Sequence, residues 1–231
     1  MKFNEKTHAF IAAKFYNYLK ESFGDRGVKS FIHATQYYAE QRGRRMAQRA
    51  IRDGRELTYD TYQQYGEWVP TPEILNSNEA HLKEVKSTAP DYEVHIFRCP
   101  WHIRFMELDC HEAGRVYCDH LDNSISRGFN PYIDFQVRQT LFKNDHCTHY
   151  ISDAGLESGT NKPKKQEYLQ SFEYHCAHIY WSFNEITSAI FKEKGEQINA
   201  KILNDFAETY GQEMADRLAS YKHTNFNVTN C

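Results

Sequence analysis

The spacing of hydrophobic positions predicts long helices at the start of the chain. Between residues 4 and 23 the apolar side chains recur every three or four positions, as on one face of a helix, and Gly24 follows as a stop. The same spacing predicts a second helix over about 28–52, ended by Gly54, and a short helix over 58–68. Each helix is expected to bury the one face that carries its apolar side chains.

Strand patterns are confined to the middle of the chain. Residues 92–97 alternate strictly between two sets of positions, which predicts a strand with one buried face, closed by Pro100. Residues 133–141 alternate in the same way. The turn residues 143–145 then lead into a second run at 146–151, so these two strands are predicted to form a β-hairpin.

The segments around these strands are predicted to be helical or irregular. Residues 69–91 contain three prolines and indicate a connecting segment, with a helical turn near 79–85. A short helix is predicted over 101–108. A full helix is predicted over 112–127, with Gly128 as its left-handed cap.

The C-terminal part again shows helical spacing. Two helices are predicted, over about 166–194 and 196–221, separated near Gly195. Residues 153–165 indicate a polar loop, and the tail at 223–231 is expected to be mobile.

Together these elements predict the α+β class. We expect a small antiparallel sheet with a hairpin, packed against long N-terminal and C-terminal helices. The chain is interpreted as a single domain over 1–231, made of a helical part (1–90), the sheet and a site helix (91–152), and C-terminal helices (166–222).

Composition and charge narrow the classes of partner. A net charge of −3 gives no general attraction to nucleic acid or to an anionic membrane surface. No apolar run approaches the roughly 18 residues that a membrane span requires, and the first residues form no apolar signal segment, so a cytoplasmic protein is expected. Six cysteines without a C-x-x-C pair indicate reduced thiols. No cofactor is predicted, and homo-oligomerisation is left open.

A basic run in the second helix allows two interpretations. It comprises Arg42, Arg44, Arg45, Arg49 and Arg52. In the first interpretation, these arginines lie on a solvent-exposed helix face and pair with nearby acidic side chains. The other is that one of these arginines reaches a carboxylate on a ligand, because the guanidinium fork suits that geometry.

The reactive side chains concentrate between residues 92 and 151, which hold four of the six cysteines and six of the twelve histidines. Cys118 and Asp122 are four apart on a predicted helix and therefore share a face. In the hairpin, Cys147 and His149 lie on one side of the strand, and Asp145 lies in the turn.

Cys99 and Trp101 stand where a strand ends and the next segment begins, a place at which a rigid element positions side chains. The alternative is that these thiols fill a core, as free cysteines often do. A structural zinc site is a further alternative, although no paired ligand spacing appears. His146 and His149 are three apart on a strand and face opposite ways.

The order of these motifs resembles a known family. The motifs are C-P-W at 99–101, E-A-G-x-x-Y-C-D-x-x-D at 112–122, G-F-N-P at 128–131 and N-D-x-C-x-x-x-I at 144–151. In this order they resemble the L-2-amino-thiazoline-4-carboxylic acid hydrolase family, over about two thirds of the chain. A weaker likeness is to vinyl-reductase-type ligand-binding domains.

The resemblance implies hydrolytic opening of a carbon–nitrogen bond in a small cyclic amidine-, thiazoline- or lactam-like substrate. On this hypothesis Cys118 is the nucleophile, and Asp122 or His149 transfers protons. Substrate-binding roles fall to Cys99, Trp101, Asn130, Asp145 and Cys147, with no metal, and an arginine holds the substrate carboxylate.

Two alternatives accompany this hypothesis. In the first, water attacks the ring carbon directly, with Asp122 as the base, and Cys118 only lines the site. The other is a small-molecule- or metal-binding sensory domain without turnover. The sequence departs from the family pattern at Asn144 and Thr148, and the stretch from about residue 166 has no counterpart in it.

Overall fold

The N-terminal helices form where the hydrophobic spacing predicts them. The computed structural model describes residues 2–156 and 162–229, which are 60% helical and 10% strand and so confirm the α+β class. Helix α1 (Glu5–Phe23) begins at a capping box, in which the Asn4 side chain accepts from the Thr7 N–H and the Thr7 hydroxyl accepts from the Asn4 N–H. Helix α2 (Asp25–Arg52) follows directly. The short helices α3 (Tyr59–Gln64) and α4 (Pro72–Leu75) come next.

Four antiparallel strands form the sheet. They are β1 (Leu82–Ser87), β2 (Tyr92–Arg98), β3 (Phe135–Gln139) and β4 (Cys147–Ile151), in the order β1-β2-β4-β3. Strands β3 and β4 pair as neighbours in sequence, which confirms the predicted hairpin.

Strand β1 replaces the helical turn predicted near residues 79–85. It pairs with β2 through positions such as Val85 and Val94. Five of its six residues are exposed, because it is the edge of the sheet and both of its faces contact solvent. An edge strand of this kind shows no alternation of apolar and polar side chains, so the pattern gave no signal for it.

The remaining helices are α5 (Pro100–Glu107), α6 (His111–Phe129), α7 (Phe172–Phe191), α8 (Glu193–Tyr210) and α9 (Gln212–Ser220). The C-terminal part therefore has three helices where two were predicted. The first break falls at Lys192, which has a φ of 56°, and Gly195 lies inside α8. None of the helices in the described ranges is both long and apolar enough to cross a bilayer.

Helices α2 and α6 pack closely because each has a glycine at their crossing. A Cβ atom on Gly43 would overlap the Ile125 carbonyl oxygen, and one on Gly128 would overlap the Glu40 backbone. Gly128 is thus a packing residue inside α6, and its predicted role as a helix cap is wrong. The close crossing holds the middle of α2 beside the face of α6 that carries Cys118 and Asp122.

A buried ion-pair network joins α2 to the segment between α3 and α4. Arg45 and Arg49 both bind the carboxylate of Glu67, at 2.6 and 2.7 Å, and the Glu67 side chain is fully buried. Arg45 also donates to the backbone carbonyl of Phe226, whose side chain is buried. The prediction of a mobile tail is therefore wrong for the residues around Phe226, while residues 230 and 231 lie outside the described ranges.

Replacing Glu67 by Gln should lower the free energy of unfolding by about 3–5 kcal/mol, since Arg45 and Arg49 would then be buried without a counter-charge. Urea denaturation measures the effect. The control is Glu40→Gln, because Glu40 pairs with Arg44 and Arg127 at the surface and should matter by less than about 1 kcal/mol.

The pH dependence gives a second readout of the same variant. Burial would raise the pKa of Glu67, but the charges and hydrogen bonds of Arg45 and Arg49 lower it from 4.5 to about 2. A lowered folded-state pKa stabilises the protein above the unfolded value, and this contribution is lost as the pH falls from about 4.5 towards 2. The difference between wild type and variant should shrink over that window. A constant difference would contradict this account.

Candidate active site

A small cavity lies between α6, the inner face of the sheet, and helices α2, α5 and α7. Its volume is about 210 Å³. For comparison, an apolar cavity of about 150 Å³ is enough to bind benzene, so there is room here for one ring with a few substituents. Its walls include the aromatic side chains Tyr38, Trp68, Trp101, Tyr117 and Phe172.

Helix α6 and the sheet contribute the reactive groups that the sequence pointed to. Cys118 and Asp122, one helical turn apart, both line the cavity. Strand β4 contributes Cys147 and His149, which are two residues apart and so point to the same face of the sheet. Cys99 also lines the cavity, at the end of β2.

Asp122 and His149 form a pair across the gap between α6 and β4. The Asp122 Oδ2 atom lies 3.6 Å from His149 Nε2, slightly beyond hydrogen-bond distance. The Asp122 side chain is 37% exposed and that of His149 is 16% exposed, so the pair stands at the more open side of the cavity. Small adjustments on ligand binding are enough to bring such groups into hydrogen-bond contact.

The three thiols are neutral in this cavity. Burial raises the pKa of Cys99 to about 12 and that of Cys147 to about 11, and it raises the pKa of Cys118 well above its usual value. The negative charge of Asp122 adds to the increase at all three thiols. A thiol in such surroundings is a poor nucleophile, because the reactive form is the thiolate.

Two histidines on the opposite wall are also neutral. His8 Nδ1 accepts from Trp101 Nε1 at 3.0 Å, and burial lowers its pKa well below the usual value. His175 Nε2 donates to the Glu67 carbonyl at 3.2 Å, and burial with the charge of Arg42 lowers its pKa to about 3. In this tautomer Nδ1 of His175 is a hydrogen-bond acceptor.

Several buried polar atoms in the wall have no hydrogen-bond partner within the described ranges. They are Arg42 Nε, Tyr117 Oη, Thr140 Oγ1 and His175 Nδ1. Buried polar groups are nearly always satisfied in folded proteins. They are four of the ten such atoms among the described residues, and a polar ligand in the cavity would supply the partners they lack.

Two predicted substrate-binding residues lie outside the cavity. The Asn130 amide donates to the Leu57 carbonyl, and its oxygen accepts from the Tyr132 N–H, so this side chain holds the turn after α6. Asp145 is 86% exposed and pairs with His146 in the hairpin turn, where side chains point to solvent. The structure does not bring either residue to the other candidates.

The zinc alternative finds no ligand set. Within residues 2–156 and 162–229, no three His, Cys, Asp or Glu side chains are arranged so that they could share a metal ion. Cys147 Sγ accepts a hydrogen bond from the Leu141 N–H at 3.2 Å.

Comparison with known proteins addresses the first two thirds of the chain. A family model described as L-2-amino-thiazoline-4-carboxylic acid hydrolase matches residues 4–150. The chain belongs to this family. The predicted resemblance is thereby confirmed, and the family name describes a hydrolase of a thiazoline carboxylate, a cyclic compound with a carbon–nitrogen bond. No curated protein and no solved structure gave a significant match.

The cavity includes residues that sequence reasoning missed. Phe172 and His175 lie beyond the region matched by the hydrolase family. The signal for Arg42 was present. Arg42, Arg45 and Arg49 follow the i, i+3, i+7 spacing of one helical face and are all buried, which contradicts a solvated face for these three.

The thiols should react slowly with alkylating reagents in the native protein. At pH 8 the thiolate fraction of Cys99 and Cys147 should be at least about 100-fold below that of an ordinary cysteine, and that of Cys118 should also be well below it. Alkylation of all three thiols should keep accelerating up to pH 10. Iodoacetamide labelling followed by peptide mass spectrometry measures this, with urea-unfolded protein as the control. Labelling of Cys118 that levels off near pH 8.5 would show a thiolate that this account does not allow.

Proposed function

We propose that this protein hydrolyses a small ring carboxylate of the thiazoline or cyclic amidine type, breaking the carbon–nitrogen bond of the ring. The observation that carries the proposal is the Asp122–His149 pair, held 3.6 Å apart at the edge of a closed cavity in a member of a hydrolase family. Asp122 is the one carboxylate among the described residues that line this cavity.

The pair supplies the two proton transfers that such a reaction needs. Asp122 accepts a proton from water as the water oxygen bonds to the amidine-type carbon of the ring. His149, in its protonated form, then donates its proton to the ring nitrogen of the adduct. As the carbon–nitrogen bond breaks, the adduct hydroxyl gives its proton to the same nitrogen, so the oxygen becomes a carbonyl and the nitrogen leaves as a neutral amine. A final transfer from Asp122 to His149, across the short gap between them, restores the starting state.

The electrostatics of the cavity favour water over a thiol as the nucleophile. Cys118 has a raised pKa, and no base activates its thiol among the hydrogen bonds of the described residues. The covalent route through Cys118 would need a proton acceptor on the substrate or a movement of His149. We therefore assign Cys99, Cys118 and Cys147 to the wall that shapes the ring site.

The arrangement of the wall also fits a flat, compact substrate. Ile96 pairs with Cys147 across β2 and β4, and Val137 pairs with His149 across β3 and β4, so these four residues form the wall of the cavity on the side of the sheet. Trp101 closes the other side, fixed by its hydrogen bond to His8. A ring between these walls would have its reactive carbon near Asp122 and His149.

Variants of the proposed catalytic pair separate the two mechanisms. Asp122→Asn and His149→Gln should each lower kcat for ring opening by about 10²–10⁴-fold, as expected when a general base or acid is removed. Cys118→Ala and Cys118→Ser should retain activity within about tenfold. Mass spectrometry detects the product as substrate plus one water, and a free amine assay reports which bond was broken. Asp145→Asn, on the exposed hairpin turn, is the matched control for Asp122→Asn.

Loss of activity in both Cys118 variants, with Asp122→Asn still active, would replace the water mechanism with the covalent one. A wild-type protein that binds ring carboxylates but never opens them would support the sensory alternative instead. A product with a free thiol and no free amine would show that hydrolysis breaks the other bond at the same carbon.

A further inference from the structure

Arg42 is a buried arginine whose charge is not matched by the protein. It is 9% exposed, and no hydrogen bond or ion pair of its side chain occurs within the described ranges. Arg45 and Arg49, on the same face of α2, both bind Glu67. Since a buried charge without a partner is costly, an unmatched guanidinium in a cavity wall indicates that the partner is a ligand.

The neighbours of Arg42 supply a second donor but no acid. The hydroxyl of Tyr117 is buried, lines the same cavity and has no partner among the described residues. The charge of Arg42 reaches Tyr117, His8 and His175, in each case as an effect smaller than that of burial. Arg42 and Tyr117 line the same cavity, so the guanidinium and the hydroxyl can bind one ligand.

The single positive charge of Arg42, on the wall that also contains His8 and His175, is suited to a ligand with one negative charge. Burial keeps His8 and His175 neutral, so Arg42 is the one cation among the described lining residues on this side. Lys164 does not line the cavity, and its Nζ donates to the Trp68 carbonyl. A single guanidinium with one hydroxyl matches a carboxylate, which accepts two parallel N–H bonds and one more from an O–H donor.

We propose that Arg42, assisted by the Tyr117 hydroxyl, binds the carboxylate of the substrate and thereby restricts the site to rings that carry one. This inference rests on the proposed function, to which it adds the residue that sets specificity. The cavity then has a positive inner wall at Arg42 and a negative edge at Asp122. A ring with a carboxylate at one end and an amidinium at the other would match both.

Binding of a saturated ring, which lacks the amidine-type carbon, tests the inference without the proposed reaction. Thiazolidine-4-carboxylate and thiazolidine-4-carboxamide have the same ring and differ in the charge of one substituent. By calorimetry the wild-type protein should bind the carboxylate at least about 10-fold more tightly, and Arg42→Gln should remove that preference. Arg42→Lys should keep part of it, and Tyr117→Phe should weaken carboxylate binding by a smaller factor. Arg44→Gln, an exposed position two residues along, is the control.

Thermal unfolding distinguishes a ligand-binding arginine from a structural one. Without ligand, Arg42→Gln should unfold at the same temperature as wild type or higher, because the substitution removes an unmatched buried charge. With ligand, the carboxylate should raise the unfolding temperature of wild type and leave that of Arg42→Gln unchanged. An unliganded variant that unfolds earlier would show a structural role and overturn the inference.

The outcomes also separate this inference from the proposed function. If wild type prefers the carboxylate through Arg42 but opens no ring, the role of Arg42 stands and the hydrolase proposal fails. If wild type opens rings while Arg42→Gln keeps the full preference for the carboxylate, the hydrolase stands and the role of Arg42 is refuted.

Discussion

The close crossing of α2 and α6 is the constraint on which the site depends. Gly43 and Gly128 let the two backbones approach to a distance that any side chain would prevent. Because α2 carries Arg42 and α6 carries Cys118 and Asp122, this contact places residues from distant parts of the chain around one cavity. The sheet then closes the cavity from the other side with residues of β2, β3 and β4.

Burial determines which groups in this cavity are charged. It raises the pKa values of the three thiols and lowers those of His8 and His175, so these groups are neutral near pH 7. The cavity also has the Arg42 guanidinium on one wall and, at its edge, the Asp122 carboxylate beside His149. Such a site selects ligands by the positions of their charges as well as by their shape. The proposed chemistry takes place at the edge, where Asp122 lies.

Much of the site could be predicted from the sequence, because side-chain directions repeat with a fixed period along a helix or a strand. The four-residue spacing of Cys118 and Asp122, and the two-residue spacing of Cys147 and His149, were enough to place each pair on one face. Residues whose position depends on tertiary packing were not predictable. Trp68 follows Glu67, whose carboxylate binds Arg45 and Arg49 of α2. His175 lies on α7, beyond the region that the family model matches, and β1 is an edge strand without alternation. Gly128 was predicted to cap a helix, since the close crossing of two helices leaves no recognisable pattern in a single sequence.

A crystal structure of the protein with thiazolidine-4-carboxylate would test the central claim most directly. The account predicts that the ring lies in the cavity, with its carboxylate on Arg42 and the Tyr117 hydroxyl, and with the ring carbon between its two heteroatoms within about 4 Å of Asp122 and His149. A ligand bound elsewhere, or one whose carboxylate points away from Arg42 while its ring carbon faces Cys118 alone, would contradict it.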